Sequence, residues 1–99
     1  MTVDELEELF REHDDEFLKH ESIPNERRHS YRADLNAFII LDKLMPDCSK
    51  DIVSGAGHDE IWLDPDLDEL VEAGITEEQV IDLIRCGVRI DEGGLCMFA

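Results

Sequence analysis

Phe38-Ile39-Ile40-Leu41 is a run of four large apolar residues inside the stretch from Ala37 to Met45. Read at a helical period, Leu35, Phe38, Leu41, Asp42 and Met45 share one side, and Ala37, Ile40, Leu41 and Leu44 share the next. A helix apolar over so much of its circumference belongs at the centre of a fold rather than on its surface. The stretch is far too short to span a bilayer. Ser30 is placed to cap it, Tyr31 to Met45 are expected to form it, and Pro46 stops it.

Whether such a helix finds a partner depends on the rest of the chain. Ninety-nine residues, 42% of them hydrophobic, make one domain over residues 1–99. The outlying quantity is charge: 26 acidic against 9 basic residues, a net −17. Disorder also requires a shortage of apolar residues, and here they are sufficient and periodic, so a folded, very acidic domain is expected. Its field repels nucleic acid and anionic lipid and draws in basic proteins. Cys48, Cys86 and Cys96 form no C-x-x-C pair, and Met1-Thr2-Val3-Asp4-Glu5 has neither the basic start nor the apolar core of a signal peptide. A cytoplasmic setting with free thiols is the expectation.

Residues 1–22 read as an acidic N-terminal helix. Thr2 and Glu5 fit a capping box, and Leu6, Leu9, Phe10, His13 and Phe17 fall on one face, which predicts a helix from Val3 to Lys19. Ile23-Pro24-Asn25 breaks it. Residues 30–46 are the core helix. Ser54-Gly55-Ala56-Gly57 reads as a flexible turn or hairpin tip. Residues 58–99 then read β-α-α-β-β. Glu60 to Leu63 is a strand, Leu67 to Val71 a short helix closed by Gly74, and Thr76-Glu77-Glu78-Gln79 a second capping box that opens a helix ending at Gly87. Two strands follow, joined by Asp91-Glu92-Gly93-Gly94. The expected core draws on Phe38, Ile40, Leu41, Leu44, Trp62, Leu83, Ile84 and Phe98.

The fold class is therefore α+β: a small compact domain with two longer helices, a helix-turn-helix pair and a short antiparallel sheet, in winged-helix-like order. A DNA-reading helix needs Lys, Arg, Asn or Gln facing bases and phosphates. The corresponding helix here carries Glu77, Glu78 and Asp82 with one Arg85. Between Lys50 and Arg85 there are eleven acids and no Lys or Arg. His58-Asp59-Glu60-Ile61-Trp62-Leu63-Asp64, Thr76-Glu77-Glu78-Gln79, Asp82 to Arg89 and the terminal Met97-Phe98-Ala99 resemble small acidic bacteriophage proteins of unassigned function. The resemblance covers mainly residues 58–99. It implies a phage origin and the host cytosol, and no activity.

Motifs for chemistry fail on spacing. Asp64-Pro65-Asp66-Leu67-Asp68 resembles the start of a calcium loop, but Glu69 and Ile75 stand where that loop needs Gly and Glu. The histidines and cysteines have no zinc-finger spacing, and no G-x-S-x-G, Walker loop or H-E-x-x-H occurs. No catalytic residue, cofactor or metal is expected. Charge density remains. Nine acids lie between Asp4 and Glu21. On a continuous helix they would stand about 3 Å apart along the axis, close to the ~3.4 Å phosphate spacing of a DNA strand.

The leading expectation is a non-enzymatic interaction module, a DNA mimic in charge, that binds a basic protein partner. A nucleic-acid-binding host protein such as a defence nuclease or polymerase subunit is the natural class. The binding residues expected are Glu8, Glu12, Asp15 and Glu16 of the first tract and Asp66, Glu69, Glu72 and Glu78 of the second. No direct nucleic-acid or membrane binding is expected, and the chain is taken as a monomer or homodimer. The alternative is a small structural or assembly accessory that self-associates, and the third reading is an enzyme.

Overall fold

The computed structural model describes residues 1–91 and 94–98. They form a compact α+β domain of four α-helices and a four-stranded antiparallel sheet. The helices are α1 (Val3–Glu12), α2 (Ala33–Leu44), α3 (Leu67–Glu72) and α4 (Glu77–Arg85). The strands are β1 (Val53–Gly57), β2 (Glu60–Leu63), β3 (Val88–Asp91) and β4 (Gly94–Phe98), in the order β1-β2-β4-β3. Among the described residues no helix is long and apolar enough to cross a membrane.

Both expected capping boxes form. The Thr2 side chain accepts from the Glu5 amide while Glu5 accepts from the Thr2 amide, and Thr76 and Gln79 repeat the arrangement at α4. A third box, Asp66 with Glu69, opens α3. Each satisfies amide donors that a helix start leaves bare.

Two helices are shorter than expected. α1 ends at Glu12, not Lys19, and Asp14–Glu16 turns as a 3-10 segment. Carboxylates at a helix C-terminus oppose its dipole, and Asp14, Asp15 and Glu16 would have occupied that end. The chain then reaches Leu18 at φ 64, whose amide donates to the Ile84 carbonyl at 3.2 Å. α2 starts at Ala33, with no side-chain cap from Arg32, and Ser30 instead accepts from the Arg32 amide. The buried Asn36 holds the segment that leads into the helix: its Oδ1 accepts from the His29 and Ser30 amides at 2.7 and 3.2 Å, and its Nδ2 reaches Cys86 Sγ at 3.3 Å.

The centre of the fold is α4 rather than α2. α4 packs against α1, α2, β3 and both 3-10 segments, and Val80, Asp82, Leu83 and Ile84 are buried on it. α2 buries only Asn36, Ala37, Ile40 and Leu41, and leaves Leu35 exposed. Its apolar breadth reflects half-buried margins at Phe38 and Leu44, not encirclement.

Ser54 to Gly57 is a strand, correcting the expected turn. β1 pairs with β2 through Gly55↔Trp62, Ala56↔Ile61 and Gly57↔Glu60, with a shift of register between Val53 and Gly55. The reversal falls on His58 and Asp59, and His58 takes φ 41. β3 and β4 flank the expected Asp91 to Gly94 hairpin, of which Glu92 and Gly93 lie outside the described residues.

Side chains alternate across a sheet, and the register sorts them. Ile61, Val88, Ile90, Leu95 and Met97 face the helices and join their core. Trp62, Cys96 and Phe98 point to the opposite face, which corrects the expected placement of Trp62 and Phe98 in the core. Phe98 is 51% exposed.

Candidate interaction surface

The acids expected to bind a partner divide into free and engaged groups. Glu8, Glu12, Asp15 and Glu72 are exposed; Glu8 makes only a surface contact to Arg11 at 3.1 Å, an ion pair of little energetic weight. Asp66 and Glu69 are tied to each other as the cap of α3, through hydrogen bonds of 2.8 and 3.3 Å. Glu78 is exposed but stands 3.3 Å from Arg27 Nε. Glu16 is half-buried and accepts from Arg85 Nε at 2.9 Å, a bond that holds its carboxyl below the usual 4.5.

Asp82, which shares its helix with the acids Glu77 and Glu78, is buried. It accepts two hydrogen bonds from Arg27 and a longer one, 3.4 Å, from Arg85. Glu78, Arg27, Asp82, Arg85 and Glu16 form one chain of ion pairs across α4. Arg27 and Arg85 are thus turned inward and do not balance the acidic surface. The basic cluster around Arg27, Arg28 and Arg32 is dispersed in the same way. Arg28 donates to the Glu21 and Ile23 carbonyls at 3.0 and 2.8 Å, leaving Arg32 exposed.

α1 packs on both α3 and α4, so the two acidic tracts, distant in sequence, belong to adjoining helices. His13 Nε2 lies 3.4 Å from Glu77 Oε1 where the end of α1 meets the start of α4. Among the described residues, Asp4, Glu7, Glu12, Asp14 and Asp15 have no basic group within ion-pair distance. Beside them a groove of about 410 Å³ opens between α1 and β3, walled by Phe10, Phe17, Ile84, Val88 and Ile90, with Glu7 and Asp14 but also Arg11 and Arg89 in its lining. The continuous acidic rod expected from the sequence does not form, because α1 ends at Glu12 and the later acids lie past the bend.

A second feature was not legible as functional in the sequence. On the sheet's helix-free face, Arg89 donates to Glu60 at 2.6 Å, stands 3.7 Å from Asp91, and lies 4.5 Å from the centre of the Phe98 ring. Trp62 lies next to it across β4, and the ring reaches over Gly55 and Gly57 of β1. The single tryptophan inside an apolar strand carries the signal, but only the register shows which face it takes.

Compared with known proteins, the chain matches no family model, no curated protein and no solved structure.

Proposed function

We propose that this chain is a non-enzymatic interaction module that presents a phosphate-like acidic surface to a basic, nucleic-acid-binding protein. The observation that carries the reading is the set of carboxylates on α1 and its exit that have no basic group within ion-pair distance among the described residues, Asp4, Glu7, Glu12, Asp14 and Asp15, while Arg27 and Arg85 are drawn to Asp82. Folded helices hold these charges at fixed separations, which a disordered acidic tail does not. The groove alongside, apolar in its walls and balanced in charge at its rim by Glu7, Asp14, Arg11 and Arg89, adds an apolar surface that a partner can cover, so that the α1 acids steer encounter and apolar contact retains the complex.

The frame supports a winged-helix-like reading. From α2 onward the order is helix, hairpin, helix, helix, hairpin, and β2-β4-β3 is the strand order such a wing requires. β1 is an addition to that order. In the place of a recognition helix, α4 exposes Glu77 and Glu78 and turns its only arginine, Arg85, toward Asp82 and Glu16. That chemistry disfavours nucleic acid and favours what binds it. The resemblance to acidic phage proteins makes a bacterial host the source of the partner.

Affinity capture from a bacterial lysate tests this. A basic protein should be retained at low salt, released at high salt, and displaced by duplex DNA added in competition. Retention indifferent to both salt and DNA would overturn the reading. A self-associating accessory is the second reading, favoured by the edge strand β1, which carries no charged residue.

A further inference from the structure

The helix-free face of the sheet holds a cleft of about 290 Å³ lined by Gly57, His58, Asp59, Glu60, Trp62 and Phe98. Two of these are aromatic and two are carboxylates, a combination that suits cations: aromatic faces attract ammonium and guanidinium groups, and carboxylates add charge. Phe98 and Glu60 already engage Arg89, so a second cation would rest chiefly on Trp62 and Asp59. The same face already holds one cation in this manner. Arg89 lies over Phe98 between Glu60 and Asp91. Among the described residues no cation of this chain lies over Trp62.

The cleft adjoins a strand edge. β1 ends the sheet order, and its Val53, Ser54, Ala56 and Gly57 are exposed. Edge strands are commonly protected by charge or proline, and β1 has neither. Gly55 and Gly57 carry no side chain, so the rim of β1 does not fence off the Trp62 ring. A Cβ built on either would stand 3.6 Å from that ring, at ordinary contact distance.

We propose that the cleft between Trp62 and Phe98 receives the cationic side chain of an extended basic segment that pairs along β1. Pairing along the edge supplies backbone hydrogen bonds, and the cleft selects Arg or Lys at the position that crosses Gly57. A second copy of this chain is the poorer occupant, because it brings another net −17 to the interface. The inference rests on the reading of the chain as a module for a basic protein, and it specifies where the partner's strand lies.

Trp62 is the chain's only tryptophan, so its fluorescence reports on the cleft directly. The probes are octapeptides of alternating Arg and Val, Lys and Val, and Glu and Val, titrated in about 1 M salt, where screening reduces the Debye length to about 3 Å and suppresses the helical acids. The cationic peptides should change the emission saturably and the acidic peptide should not. Phe98→Leu should weaken binding about 2- to 30-fold, the range of one cation–aromatic contact. Gly57→Val, with a thermal melt to confirm folding, should block the cleft while keeping both rings. A flat titration overturns the proposal, and so does unchanged binding by either variant. A Trp62 signal that tracks dimer dissociation in the absence of peptide also overturns it, assigning the face to a second copy. If Glu8→Lys, Glu12→Lys, Asp15→Lys and Glu72→Lys together abolish capture of the lysate partner while Phe98→Leu does not, the helical surface stands and the cleft fails. The reverse pattern retains the cleft and removes the helical surface.

Discussion

Arg27 donates two hydrogen bonds, of 2.9 and 3.2 Å, to Asp82, a residue 55 positions further along the chain. The contact ties the loop before α2 to the middle of α4, and raises the Arg27 pKa above its ordinary value. With Asp82 buried and Arg85 also engaged, removal of the carboxylate breaks the link between the two arginines and leaves Arg27 only Glu78 and Arg85 only Glu16 as ion-pair partners.

Asp82→Ala is therefore expected to destabilise the fold by about 3 kcal/mol, the lower end for a broken buried pair, because Arg27 keeps part of its solvation. Urea unfolding of the variant measures this. A change within the range of an ordinary surface substitution, about 0.5 kcal/mol, would show that Asp82 is not a keystone of α4.

Gly87 follows α4 at φ 98, and a Cβ there would stand 2.7 Å from Leu18 Cδ2. Leu18 is 58% exposed and Cδ2 is the end of a flexible side chain that can shift, so the left-handed backbone sets the main cost. Gly87→Ala should lose about 1–2 kcal/mol. Gly74→Ala, at φ 83 with open space around it, isolates the backbone part. Equal losses for the two would show that Leu18 contributes nothing.

The pH dependence follows from Glu16. Acid crowding alone predicts raised carboxyl pKa values and a fold that gains stability on acidification. Glu16 is instead lowered by its hydrogen bond from Arg85, and Glu5 by its bonds to Thr2. A carboxyl lowered in the folded state contributes fully above its ordinary 4.5 and loses that contribution as pH falls through the folded value. Stability should thus decline below about pH 4.5 in the unmodified chain, and Glu16→Gln should flatten that decline. Melting temperatures of both proteins between pH 3 and 7 decide it; identical slopes would remove Glu16 as the cause.

The thiols should separate by burial. Burial pushes Cys86 up to about 11 and raises Cys96, while Cys48 is exposed. A thiolate-directed reagent at mild alkaline pH should label Cys48 quickly and the other two only on unfolding. Rapid labelling of all three would contradict the packing around Asn36 and beneath Trp62.

What the sequence made legible was local. The Thr2/Glu5 and Thr76/Gln79 boxes, the helix stop at Gly87 and the strand at Ile61 each depend on residues within a turn of one another, and all are present. β1 was not legible, because Val-Ser-Gly-Ala-Gly has little strand preference of its own and owes its conformation to pairing with β2. The Asp82 network was not legible either, since Arg27 and Glu16 arrive from distant segments. It removes Asp82 from the acidic surface and gives Glu16 and Glu78 structural work. Of the acids chosen from the sequence, Glu8, Glu12, Asp15 and Glu72 are exposed and outside the caps and the Asp82 network, whereas Asp66 and Glu78 are exposed but engaged by Glu69 and Arg27.

Those four residues give the most direct measurement. The association rate of the captured basic partner should be compared, at low salt, between the unmodified chain and the quadruple variant Glu8→Lys, Glu12→Lys, Asp15→Lys, Glu72→Lys. None of the four anchors the core, so the melting temperature should stay close to that of the unmodified chain. The rate should fall by at least about tenfold and the difference should shrink as salt is added, as electrostatic steering requires. A folded variant that associates as fast as the unmodified chain would show that the acidic helices only keep the protein in solution.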